Sequence, residues 1–111
     1  MTFESSRTYV IAELANAHQG KPETLLRMIE SAAAAGADAI KVQWFKYDHL
    51  AHPDYEWYEV YQKLFFEPQT WRAALALAAD LKLDVWADIF DDWGLSLAQE
   101  LRGALHGVKL P

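Results

Sequence analysis

Short apolar runs alternate with amphipathic stretches along nearly the whole chain, and this alternation most limits the possible folds. Tyr9–Leu14 is short, β-branched and mostly apolar, and reads as a buried strand. After a polar loop ending near Gly20, Pro22 and Glu23 mark the first turn of a helix. Leu25, Leu26, Met28, Ile29, Ala32 and Ala33 recur at helical spacing, and Gly36 supplies a C-terminal stop. Further strands are predicted over Ala39–Trp44, Asp84–Asp88 and Gly107–Leu110. Further helices are predicted over Tyr55–Leu64, Pro68–Lys82 and Trp93–Leu101, with a loop over Phe45–Asp54.

Strands that alternate with helices through short connections point to an α/β fold of parallel β/α units with right-handed crossovers. The chain stops on its fourth strand, so it holds three and a half such units. An eight-fold barrel needs about 250 residues. Read as part of a barrel, the chain would leave strand edges unpaired and is expected to associate through them, as in a homo-oligomer.

Charge inside the apolar strands is the next informative feature. Lys41 and Gln43 share one face of their strand, and Val42 and Trp44 share the other. Glu13 and Asp88 sit near C-terminal strand ends, and Lys109 lies in the fourth strand. An unpaired charge is costly to bury, so these residues mark either a site at the top of the sheet or an inward ion-pair network. Lys41 and Lys109 together could hold a phosphate or carboxylate. A lysine working through a Schiff base would need a lowered pKa, which leaves Lys41 as an alternative nucleophile.

The histidines carry less. His49 and His52 are spaced for metal ligation but lie in the predicted loop, and two ligands are too few. His18 follows the first strand and reads either as a substrate contact or as a solvated loop residue; His106 reads as structural. Trp57, Trp71 and Trp86 read as packing residues.

The net charge of −6, without a Lys/Arg cluster, excludes nonspecific nucleic-acid binding. The absence of cysteine excludes disulfides and thiolate chemistry. No apolar run is long enough for a membrane span and no signal peptide is evident, so a cytoplasmic protein is the default expectation. No phosphate-loop, dinucleotide, nucleophile-elbow or zinc-protease motif is present.

Four stretches resemble the N-acetylneuraminate (sialic acid) synthase family. Ile11-Ala12-Glu13-Leu14 through His18-Gln19-Gly20 resembles I-A-E-I-G-x-N-H-N-G. Ala35-Gly36-Ala37-Asp38-Ala39-Ile40-Lys41-Val42-Gln43 resembles A-G-A-D-A-V-K-F-Q. Pro68-Gln69-Thr70-Trp71 resembles P-E-E-W, and Val108-Lys109-Leu110 resembles the fourth-strand K-I.

The resemblance implies that residues 1–111 are the N-terminal portion, three and a half units, of a TIM (β/α)8 barrel. It implies a transferase that condenses phosphoenolpyruvate with an N-acetylated amino sugar, such as N-acetylmannosamine, to a nonulosonic acid. In that chemistry the enol carbon attacks the sugar aldehyde, water adds at the adjacent carbon, and phosphate leaves. A divalent metal, Mn²⁺ or Mg²⁺, is implied for the complete enzyme, with its ligands outside this chain. By position, Lys41 and Lys109 would bind phosphoenolpyruvate, while Glu13, Gln43 and His18 would contact the amino sugar. Glu13, Lys41 and Gln43 would be the catalytic set.

The chain departs from the family at Ala17 and Gln19, which flank His18 where the family has asparagines. It departs again at Ala87-Asp88-Ile89-Phe90-Asp91, where the family reads S-T-P-F-D and a hydroxyl gives way to Asp88. A carboxylate there repels phosphate unless it is protonated or paired with Lys41 or Lys109. The isolated 111 residues are expected to be inactive. A module that binds a sugar or anion, or assembles with another chain, without catalysis is the alternative.

Overall fold

A computed structural model describes residues 7–111. Four strands, β1 (Ile11–Ala15), β2 (Ala39–Trp44), β3 (Asp84–Ile89) and β4 (Gly107–Lys109), form one sheet in sequence order, and every pairing is parallel. The helices are α1 (Pro22–Ala34), α2 (Tyr47–Leu50), α3 (Tyr58–Leu64), α4 (Pro68–Asp80) and α5 (Asp92–Glu100), with a 3-10 turn at Arg102–Ala104. No helix among the described residues is long and apolar enough to cross a membrane.

The long helices follow their sequence signals. Pro22 and Pro68 each occupy a first turn, where a missing N–H costs nothing. Leu25, Ile29 and Ala32 of α1 and Trp71, Ala74, Leu75 and Ala78 of α4 are buried at helical spacing. The Asp91 carboxylate caps α5 by accepting the Gly94 N–H at 2.7 Å. It also accepts the Lys46 N–H at 2.7 Å, which ties the end of β2 to the start of α5.

Ile40, Val42 and Trp44 of β2 and Val85, Ala87 and Ile89 of β3 pack with α1, α4 and α5 in one core. The helices thus cover a single face of the sheet. That is the arrangement of a β/α barrel wall, and it leaves the other face to the polar strand residues. At the N-terminal end of that face, the Tyr9 hydroxyl donates to Asp84 at 2.5 Å and accepts from the Trp86 indole N–H at 3.1 Å. His106 Nε2 lies 2.9 Å from Asp84, and its Nδ1 accepts the Val85 N–H at 3.3 Å, as its structural reading requires.

Several expectations are corrected. The Phe45–Asp54 segment contains the short helix α2, and α3 begins at Tyr58 rather than Tyr55. Helix α4 ends two residues early because Lys82 adopts a left-handed φ of 60°, although it is not glycine. The Leu83 N–H then returns to the Ala78 carbonyl at 2.9 Å. Trp57 is exposed rather than packed.

His18 departs furthest from its expected setting. It is 1% exposed, with its ring 4.4 Å from that of Phe66 and 6.3 Å from that of Trp71. Its Nδ1 accepts the Gly20 N–H at 2.9 Å, which places the proton of the neutral ring on Nε2. Burial pushes its pKa down to about 4. Phe66 and Trp71 follow a long excursion after β2, and they turn a loop histidine into a core residue.

Gly20 explains why that loop is held so closely. Its φ is +76°, and a Cβ there would lie 1.7 Å from the Lys63 carbonyl oxygen near the end of α3. Both the backbone conformation and the space exclude a side chain.

Two predictions follow from this packing. Gly20→Ala is expected to destabilise the chain by about 2 kcal/mol or more, measurable by urea denaturation. The unfolded state binds a proton at His18 from pH 6.5 downward, whereas the folded state does so only near 4. Stability is therefore expected to fall by roughly 3 kcal/mol as pH drops across that window. His18→Leu is expected to flatten that part of the stability profile, read from urea midpoints at stepped pH.

Candidate functional site

The strand register brings the polar residues together. Glu13 lies opposite Lys41, Gln43 opposite Asp88, and Asp88 opposite Lys109. Residues opposite one another across parallel strands point the same way, so all five occupy the face away from the helices. A bulge between Glu13 and Ala15 shifts the register of β1, and Ala15 takes a φ of 46°. The Ala15 N–H thereby turns back onto Glu13 Oε2 at 3.0 Å and fixes that carboxylate.

The charges alternate across all four strands. Lys41 Nζ lies 3.0 Å from Glu13 Oε1 and 3.8 Å from Asp88 Oδ1, and Lys109 Nζ lies 3.8 Å from the same Asp88 oxygen. Two ammonium groups meet two carboxylates, so the cluster carries no net formal charge. Asp88 is buried, 3% exposed, and its Oδ1 makes no hydrogen bond. Its contacts with both lysines are charge contacts at a distance beyond hydrogen bonding. The contact with Lys109, more than half exposed, is screened by water more than that with Lys41.

The hydrogen bond that Lys41 donates to Glu13, with the charges of Glu13 and Asp88, holds the Lys41 pKa above its ordinary value, against the opposing effect of burial. A Schiff-base role would need a lysine that gives up its proton readily, which this setting does not favour.

Beside the charges lies a second subsite. The Asn16 amide donates to Gln43 Oε1 at 3.0 Å, and the two residues line a cavity of about 270 Å³ with Phe45, Leu50, Tyr61 and Phe90. The Phe45 ring stands edge-on to Tyr61 and to Phe90, with centroids 6.2 and 6.5 Å apart. Amide groups among aromatic surfaces suit a ligand with both hydroxyls and apolar C–H faces. Asn16, Tyr61 and Phe90 are the residues that sequence reading passed over. Asn16 was legible as the first polar side chain beyond β1. Tyr61 was not, because nothing local shows that α3 folds back over the strand ends.

Of the expected site residues, Glu13, Lys41, Gln43, Asp88 and Lys109 therefore converge. His18 does not, because it points into the core. Among the described residues, no group of three or more His, Asp or Glu side chains could hold a metal ion. His49 faces Asp91 at 3.7 Å and His52 faces Asp54 at 2.7 Å, each a single exposed histidine with one carboxylate. Glu13 and Asp88 are already engaged by lysines, so these residues do not fit a divalent ion.

No protein-family model and no curated protein sequence matches the chain. Solved structures do. The N-acetylneuraminic acid (sialic acid) synthetase of Leptospira borgpetersenii serovar Hardjo-bovis, solved in complex with citrate, superimposes with a TM-score of 0.83 at 24% identity. That match covers 92% of this chain and 35% of the synthetase. The spore coat polysaccharide biosynthesis protein spsE of Bacillus subtilis gives a TM-score of 0.69 at 24% identity, over 91% of this chain and 29% of that one. The chain thus spans about a third of the length of these proteins, and over that third it shares their fold.

Proposed function

We propose that the chain forms the opening β/α units of a nonulosonic-acid-synthase-like barrel, a phosphoenolpyruvate-dependent, C–C bond-forming transferase of carbohydrate biosynthesis. The observation that carries this reading is the convergence of Glu13, Lys41, Gln43 and Lys109 at the C-terminal strand ends. The fold on which they converge is the one shared with a sialic acid synthetase. Motif likeness and structural likeness both point to the fold of a sialic acid synthetase.

In this reading Lys41 and Lys109 attract the phosphate and carboxylate of phosphoenolpyruvate. Glu13 accepts a hydrogen bond from Lys41 and offsets the cost of its partial burial, so the ammonium keeps its charge. Gln43, steadied by Asn16, orients the hydroxyls of an N-acetylated amino sugar whose C–H faces rest among Phe45, Tyr61 and Phe90. No step is assigned to a metal ion, because these residues offer no ligand set for one.

One observation favours a second reading. The charge-balanced cluster around Asp88 fits a module that binds a sugar without catalysis.

Two-dimensional NMR of the chain with each substrate distinguishes the readings. Phosphoenolpyruvate is expected to move the resonances of Lys41 and Lys109, and N-acetylmannosamine those of Asn16 and Gln43. Lys41→Ala is expected to abolish the first set and spare the second. A response to the sugar alone would support the binding module. A folded chain that answers neither ligand would overturn both readings.

A further inference from the structure

The place of Asp88 has a consequence for ligand choice. Its carboxylate stands between Lys41 on β2 and Lys109 on β4, 3.8 Å from each ammonium. A ligand anion bridging the two lysines would need the same place. We propose that Asp88 is a resident counter-anion, a specificity-determining residue that weakens the grip of the lysine pair on phosphate and favours a neutral hydroxyl there. This rests on reading Lys41 and Lys109 as an anion clamp.

Four observations support it. Asp88 is buried, so water does little to mask its charge from a ligand beside it. Its Oδ1 is buried without a hydrogen bond, so among the described residues only the two lysines balance its charge. A neutral hydroxyl beside that carboxylate is not repelled by its charge, whereas a phosphate is. Glu13, on β1, occupies the remaining side of Lys41. The side chain opposite Asp88 on β2 is the neutral Gln43, which brings no further positive charge. An arriving phosphate therefore meets two cations already matched by two carboxylates.

The test is calorimetric titration of the chain with inorganic phosphate, comparing the parent with Asp88→Asn and Asp88→Ser. Asparagine keeps the shape and removes the charge; serine restores a small hydroxyl should the amide disturb the fold. Either substitution is expected to tighten phosphate binding roughly ten-fold or more, because a like charge beside the ligand is gone. Adding Lys109→Ala to the same chain is expected to cancel the gain. Equal and measurable affinity in parent and variants would overturn the role of Asp88 while leaving the lysine clamp intact. Absence of binding in every variant, each showing a cooperative thermal transition, would overturn the clamp and this proposal together.

Discussion

Six consecutive residue pairs hold β2 and β3 in step, from Ala39 opposite Asp84 to Trp44 opposite Ile89, and the rest of the molecule depends on that register. Since side chains alternate, it sends Ile40, Val42, Trp44, Val85, Ala87 and Ile89 to the helices and Lys41, Gln43 and Asp88 to the other face. A slip of one residue would push Lys41 into the core and Val42 out of it. Core and candidate site are thus two readouts of one pairing. Burial of the apolar face supplies the free energy that holds the charges together on the other.

The same geometry accounts for the charge cluster. Neighbouring parallel strands lie close enough for long side chains to meet across them. Placing acid, base, acid and base on successive strands lets each charge find an opposite partner without reaching far. The order Glu13, Lys41, Asp88, Lys109 does this across all four strands. Asp88 is the member that could not stand alone, because its burial leaves it no water.

Much of this was legible in the sequence. Strand β2 and the start of α4 follow directly from a β-branched run and from Pro68, because local preference and tertiary packing agree there. The sharing of a face by Lys41 and Gln43 follows from period-two alternation. What could not be read was whatever depended on distant segments. His18 lies among polar neighbours in sequence, yet Phe66 and Trp71 enclose it. Asp88 could be seen as a departure from a motif, but its shared contact with two lysines needed the register of three strands. The Phe45–Glu67 stretch has weak periodicity, so α2 and the role of Tyr61 emerged only from the fold.

The close approach of Gly20 to the Lys63 carbonyl has a bearing on how this lineage can change. Surface excursions usually tolerate gained or lost residues, since each only lengthens or shortens a free arc. Here the excursion after β2 must deliver one particular carbonyl to the first loop and then seat Phe66 on His18 only three residues later. An insertion before Lys63 would have to be absorbed upstream of α3, in the exposed turn around Pro53 and Asp54; one placed between Lys63 and Phe66 would break both contacts at once. Gained or lost residues are therefore expected to be tolerated in the first half of that excursion and not in the second.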